Sequence, residues 1–349
     1  MLSLFLRYGI SAFLVAFFAT VIVRFVATKW HIVDHPHHPK NVHTHPVPRL
    51  GGIGIFLSVL ILVMISLVSS DWLVSGSIEY TQYIGFLLGG FILMIGGYID
   101  DRFDLSPRYA IIAPLVASVT VVMFGVNIEK LTNPFGGVIY LADWQSNSIV
   151  FVWLMIVMYT TKFLDGLDGL ATSVTSIGSL MVLLLALTAA YFQPDVALLA
   201  AIILGAQLGF LFWNFHPASI FLGEGGSTLV GYFVGMLAVI SGGKLATALL
   251  VLGVPLLDVM WIVLRRFRAG GFKQIFVGDR KHLHHRLFDR GWSQTQIVLF
   301  YISISGLFGV STLFLQSKEK AIVLILLTGL MLVVAAFIVK KERKMSGLT

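Results

Sequence analysis

Gly51-Gly-Ile-Gly-Ile-Phe-Leu-Ser-Val-Leu-Ile-Leu-Val-Met-Ile-Ser-Leu-Val-Ser-Ser70 runs from one turn-forming stretch to the next without a single charge. Wound as an α-helix it is about 30 Å long, the thickness of a bilayer's hydrocarbon core. Comparable runs fall at 4–28, 82–99, 109–126, 148–164, 172–192, 195–213, 226–243, 245–264, 295–316 and 320–339. The composition agrees: 57% of the 349 residues are hydrophobic and 12% charged, against about 25% charged in a soluble domain. Mean hydropathy is +0.91. The expected fold is an all-α polytopic bundle of about eleven transmembrane helices, with residues 1–349 forming one integral membrane domain. Leu4–Val26 is too long and too evenly apolar for a cleaved signal peptide and reads as a retained first helix.

Charge sets the expected orientation. With the N-terminus outside, one side collects Lys29, Lys40, Arg49, Arg102, Arg108, Lys162, the 265–294 loop and the cluster Lys340–Lys344. The other side keeps Arg7, Lys130, Lys244, Lys318 and Lys320. The rich side is expected to be cytosolic, and with it the C-terminus. The net charge of +7 is thereby explained by topology, and no nucleic-acid partner is expected. The chain has no cysteine, which excludes disulfides and thiolate metal sites. The segment 127–147 reads as a short outer hairpin without chemistry.

The ionisable residues gather on the expected cytosolic side. Asp100-Asp-Arg-Phe-Asp104 ends the third run, Asp165-Gly-Leu-Asp168-Gly links the fifth and sixth, and Gly223-Glu-Gly-Gly-Ser227 opens the eighth. Asp279-Arg-Lys-His282-Leu-His284-His285-Arg286 precedes the tenth. Carboxylates at a membrane edge need a reason, and oxygen-only clusters beside phosphate suit Mg²⁺. Each motif alone has an ordinary alternative: a solvated helix end, an Asp-Gly turn, a flexible Gly-rich turn, a topology-setting basic loop. The Gly223–Ser227 turn, with free N–H groups at a helix start, also suits a phosphate. The imidazoles among cations suit a diphosphate better than a transition metal. A Pro- and His-rich stretch, residues 31–52, is expected to be extended rather than a metal-binding tract. A secondary transporter would place its acids at the bilayer midplane, and these lie at helix ends. A CDP-alcohol phosphatidyltransferase would carry Ala-Arg soon after the first Asp-Gly, and this chain does not.

In their order these motifs resemble the polyprenyl-phosphate N-acetylhexosamine-1-phosphate transferases, nearer the WecA/TagO branch than MraY. The resemblance rests on Pro46-x-Pro48-x-x-Gly51-Gly52, Asp100-Asp-Arg-Phe-Asp104-Leu-Ser-Pro, Asp165-Gly-Leu-Asp168-Gly-Leu-Ala, Asn214-Phe-His-Pro217, Pro255-Leu-Leu-Asp258 and His282-Leu-His284-His285-Arg-Leu. It implies transfer of a sugar-1-phosphate, GlcNAc-1-phosphate first, from a UDP-sugar to undecaprenyl phosphate with release of UMP. That is a first membrane step in cell-envelope glycan or teichoic acid synthesis, in a bacterial cytoplasmic membrane. MraY-type transfer of MurNAc-pentapeptide phosphate is the alternative. The resemblance assigns Asp100, Asp101, Asp165 and Asp168 to catalysis. It assigns Lys40, His43, Lys162, Asn214, Arg265, Arg266, His282, His284, His285 and Arg286 to substrate binding. Glu224 and Asp168 would hold Mg²⁺, or Mn²⁺. A homodimer is the possible assembly. Three departures fall on this site: Glu224 and Lys162 stand where the family has Asp and Asn, and Ala110 where it has Lys. An ammonium cannot ligate a metal, so either Mg²⁺ stays on Glu224 and other oxygens, or Lys162 pairs with Glu224 in the metal's stead, or the site has degenerated. They are expected in that order.

Overall fold

A computed structural model describes residues 2–36, 45–76, 78–133, 136–242, 244–270 and 282–345. The expected substrate residues Lys40 and His43, and the loop residues Asp279, Arg280 and Lys281, lie outside them. The molecule is a bundle of α-helices: α1 (Leu2–Lys29), α2 (Gly51–Ser69), α3 (Tyr80–Phe103), α4 (Pro107–Ala110), α5 (Ile112–Met123), α6 (Asp143–Leu164), α7 (Leu170–Leu187), α8 (Pro194–Asn214) and α9 (Gly223–Ile240). After them come α10 (Leu245–Val251), α11 (Gly253–Gly270), α12 (Leu283–Phe288), α13 (Gln294–Phe314) and α14 (Ser317–Met345). Two single-turn 3-10 helices (Trp72–Val74 and Ala189–Tyr191) and two small ribbons complete the elements of the described residues. β1 (Val33–Asp34) pairs antiparallel with β2 (Val47–Pro48), and β3 (Lys130–Thr132) with β4 (Val138–Tyr140). The second is the hairpin expected within 127–147.

Helix occupies every one of the expected runs, and eight helices among the described residues are long and apolar enough to cross a membrane; the run 320–339 lies in α14, whose side chains are described only in part. Two expected spans are broken, each near a proline. Pro114 has no N–H to donate to the carbonyl of Ala110, and the run 109–126 divides there into α4 and α5. Pro255 cannot donate to Val251, and the run 245–264 bends by 79° between α10 and α11.

α9 is the most enclosed helix. It packs against α6, α3, α2 and α7, while α8 fills the space between α1 and α7. Outward-facing Leu, Ile, Phe and Val on α1, α2, α3 and α13 stay exposed, as lipid-facing surfaces do. Three helices meet where they carry no side chains. A Cβ on Gly97 of α3 would collide with Gly225 Cα, and one on Gly52 of α2 with Gly226 Cα. This backbone contact holds the N-terminus of α9 deep between α2 and α3.

Candidate active site

The C-terminal ends of α3, α6 and α8 and the N-terminal ends of α2, α7, α9 and α13 come together at one end of the bundle. The Pro-rich stretch is sewn to the α9 turn. Phe221 N–H donates to Pro48 O (2.8 Å), Gly51 N–H to Phe221 O (2.9 Å) and Gly52 N–H to Leu222 O (2.9 Å). Gly223 supplies the left-handed φ of 77° that turns the chain into α9.

The consecutive acids of α3 have different tasks. Neighbours on a helix point about 100° apart. Asp101 turns inward, with its side chain 1% exposed. Both its oxygens accept from Glu224 N–H (3.2 and 3.1 Å), and Arg49 Nη1 lies 3.8 Å from Oδ1. At this helix start the Glu224 N–H is taken by the protein's own Asp101 side chain, which favourably meets the positive end of α9. Asp101 supports the site and is closed to substrate. Asp100 turns toward a cavity, with Oδ1 accepting from Leu105 N–H (3.0 Å).

That cavity is lined by Asp100, Lys162, Glu224, Ala110, Gly97 and Thr228, among others. Lys162 Nζ stands 2.7 Å from Glu224 Oε2 and 3.7 Å from Asp100 Oδ2. Lys162 comes from the last turn of α6 and Glu224 from the first turn of α9. Asp165 follows directly as the cap of α6. Burial, then the carboxylates of Glu224, Asp101 and Asp168, push the Asp165 carboxyl up to about 8. At neutral pH it is mostly protonated and can donate a hydrogen bond.

Asp168 faces another way. Its Oδ2 meets His216 Nδ1 at 2.7 Å and accepts from Ala218 N–H at 3.1 Å, while its own N–H donates to Gln294 Oε1. It lines a second cavity of about 590 Å³ with Arg24, His45, Pro48, His216 and Gln294, a volume that accommodates a drug-sized ligand. The expected metal pair, Glu224 and Asp168, is thus engaged with different partners. No cluster of three or more acid or imidazole donors lies within reach of one ion among the described residues. An ammonium against Glu224 repels a divalent cation there. The donor set, with Glu224 on Lys162 and Asp168 on His216, does not fit Mg²⁺ held by Glu224 and Asp168 together.

The imidazoles of the 282–285 motif pack beside the Asp165–Asp168 turn. Asp258 of α11 accepts from Leu283 N–H (3.1 Å) and meets His282 Nδ1 (2.9 Å), fixing the start of α12. His282 stacks between Phe163 and His284, with centroids 5.7 and 5.6 Å away. A Cβ on Gly166 would stand 2.6 Å from His284 Nε2 and 3.2 Å from His285 Nε2, so the glycine of Asp165-Gly-Leu-Asp168 makes room for both rings. His284 is 1% exposed, and neither of its ring nitrogens has a hydrogen-bond partner among the described residues. Burial, with His285 and His282 beside it, holds His284 well below the ordinary histidine range and hence neutral. Arg266 is buried and Arg265 half-buried near the end of α11, and Arg286 is half-buried on α12. Asn214 does not reach substrate space. It is 2% exposed, its Oδ1 accepts from Thr172 Oγ1 (3.0 Å) and its Nδ2 donates to Ile220 O (3.1 Å). The buried amide holds the 214–220 turn. His216 and Asp258 lie in motifs visible in the sequence, and their contacts assign them positions that the motifs alone did not.

A profile described as glycosyl transferase family 4 matches residues 83–242. The chain is 30% identical over 347 residues to the decaprenyl-phosphate N-acetylglucosaminephosphotransferase of Mycobacterium tuberculosis, covering 91% of this chain and 84% of that protein. The chain belongs to the polyprenyl-phosphate N-acetylhexosamine-1-phosphate transferase family. It is also 29% identical over 314 residues to the probable undecaprenyl-phosphate N-acetylglucosaminyl 1-phosphate transferase of Bacillus subtilis, covering 88% and 84%. The phospho-N-acetylmuramoyl-pentapeptide-transferase of Halalkalibacterium halodurans is 27% identical over 283 residues, covering 77% and 83%. Four of the six motifs that carried the resemblance contribute Pro46, Pro48, Asp100, Asp168, His216 and Pro217 to the linings of the two cavities, and the other two join at Asp258 and His282.

Proposed function

We propose that the chain transfers N-acetylglucosamine-1-phosphate from its UDP-sugar to undecaprenyl phosphate and releases UMP, acting as one integral membrane domain. The observation that carries this reading is the Asp100–Lys162–Glu224 cluster lining a small cleft at the end of an apolar bundle, with Asp101 of α3 set against the start of α9 beside it. A polyprenyl phosphate keeps its tail in lipid and its headgroup at the interface, which is the level of these helix ends.

In this reading an oxygen of the lipid phosphate attacks the sugar-bearing β-phosphorus. The bond from that phosphorus to the bridging oxygen breaks, and UMP leaves with the electron pair. A phosphate monoester has a second pKa near 6, so the acceptor is mostly dianionic at neutral pH and the charges balance without a proton. Catalysis is then positioning and charge neutralisation. Asp100 orients the acceptor, or takes its proton when it arrives as the monoanion. Asp165, protonated, donates to a phosphoryl oxygen. The Arg265, Arg266 and Arg286 side chains hold the diphosphate, with His282, His284 and His285 walling the sugar side.

Membrane orientation belongs to the same proposal: N-terminus outside, eleven crossings, and the acidic end in the cytosol of a bacterial inner membrane. The test is purified protein with undecaprenyl phosphate and a panel of UDP-sugars, including UDP-MurNAc-pentapeptide, read as UMP release. UMP release with UDP-GlcNAc is the expected result. Turnover with the pentapeptide substrate alone transfers the chain to the muramoyl branch, and no UMP with any sugar sinks the reading.

A further inference from the structure

In the transferase reading two polyanions meet beside a cluster that already holds the Asp100 and Glu224 carboxylates, around a cleft of only about 10 Å³. Something positive has to stand among them, and in this chain it is covalently attached. Lys162 reaches in from the last turn of α6 and is clasped by carboxylates from two other helices, 2.7 Å from Glu224 Oε2 on α9 and 3.7 Å from Asp100 Oδ2 on α3. Its side chain is 21% exposed, so the ammonium is largely withdrawn from water yet open to the cavity. The clasp is firmly based, because α9 is held at its start by Asp101 and α3 contacts it through Gly97 and Gly225. Ala110 lines the same space and brings no charge.

We infer that the Lys162 ammonium performs in this chain the charge neutralisation that a divalent cation would otherwise supply, so that phosphoryl transfer proceeds without Mg²⁺. The inference rests on the transferase reading above. Lys162 is then a catalytic residue: it contacts a non-bridging oxygen of the donor diphosphate, with Glu224 holding it in place. The longer side chain of glutamate suits this task, since it reaches the lysine from the α9 turn while Asp101 occupies the backbone amide. An ammonium supplies one charge and three donors on a flexible stem, and a low-dielectric cavity strengthens its attraction for phosphate. The step remains the one described: a phosphorus–oxygen bond forms to the acceptor, the bridging bond breaks, and UMP carries away the electron pair.

Two measurements on the full-length protein in detergent or nanodiscs test this. The first is turnover of UDP-GlcNAc and undecaprenyl phosphate in excess chelator. Wild type is expected to keep its rate within about twofold of the Mg²⁺ value, and Lys162→Asn to fall about 100-fold in chelator and recover partly with Mg²⁺. Lys162→Arg, which keeps the charge, is expected to stay chelator-resistant. Loss of wild-type turnover in chelator with rescue by Mg²⁺ overturns the inference. The second is Mn²⁺ binding followed by electron paramagnetic resonance, with no substrate present. Wild type is expected to bind no stoichiometric Mn²⁺, whereas Lys162→Asn gains a site through the released Glu224 and Asp100. A stoichiometric Mn²⁺ site in wild type that Lys162→Asn fails to strengthen overturns the inference. Absence of UMP under every condition defeats the transferase reading instead, and Mn²⁺ binding still decides the role of Lys162. Should Lys162→Asn fail to elute as folded protein, the wild-type and Lys162→Arg measurements suffice.

Discussion

Adjacent aspartates with opposite fates define the residue scale. Asp101 binds the α9 start and is closed off, whereas Asp100 borders the cavity. Asp101→Asn is therefore expected to lower stability by about 0.5–2 kcal/mol, as loss of a helix-start anion does, read as a thermal shift in detergent. Asp100→Asn should leave thermal stability nearly unchanged and reduce kcat by about 100-fold or more. Asp165 gives a pH signature. Its folded-state carboxyl holds a proton up to about 8, while the ordinary value is 3.8, so the folded chain binds the extra proton between those limits. Stability from this group is accordingly highest at low pH, falls as pH rises from about 4 to about 8, and is level above that. Asp165→Asn should flatten the dependence of melting temperature on pH over 5–9 and raise it most at the alkaline end. A steeper slope in the variant would contradict this. The sequence marks all three acids as one cluster, because spacing reports which residues converge. It does not say which oxygen meets a backbone amide, and that distinction separates Asp101 from Asp100. Asn214 illustrates the same limit: a polar residue in a family motif looks functional, while in the structure it bonds Thr172 and Ile220.

At the scale of elements, the apolar runs translated into helices almost position for position. Length and hydropathy are averages over about 20 residues and survive single-residue detail. What escaped them was local. Pro114 and Pro255 each remove one backbone donor, and two of the expected spans break beside them. The hairpin within 127–147 was legible from Asn133, Gly136 and Gly137 between β-forming residues, and β3 and β4 occupy its two arms. The close meeting of α2, α3 and α9 was not legible, although its glycines were in plain view, because a Gly pair does not name its partner. Gly97→Ala or Gly226→Ala would set a methyl group against a facing glycine's backbone. A cost of about 1–3 kcal/mol or more is expected from such overpacking, measured as a drop in melting temperature. Gly306 of α13 has nothing within 4 Å of a built Cβ, and Gly306→Ala should be neutral or slightly stabilising.

For the whole molecule, chemistry collects at one end and the rest is a lipid-soluble scaffold. The absence of cysteine makes orientation directly measurable, since any introduced thiol is the only one. A cysteine placed in the β3–β4 hairpin should react with an impermeant maleimide on intact spheroplasts, and one placed after α11 should react only after lysis. The opposite pattern inverts the proposed topology. The glycine junction carries a mechanical consequence. Three helices locked backbone to backbone have no compressible layer between them, so the acidic floor cannot yield when a ligand arrives. Accommodation of sugars of different bulk must therefore fall to the imidazole-bearing α12 beside the Asp165–Asp168 turn, which is secured at its start mainly by Asp258 and by ring stacking. Amide deuterium uptake on binding UDP-GlcNAc should accordingly slow in α12 and the end of α11, while the first turns of α2 and α9 stay as protected as they were.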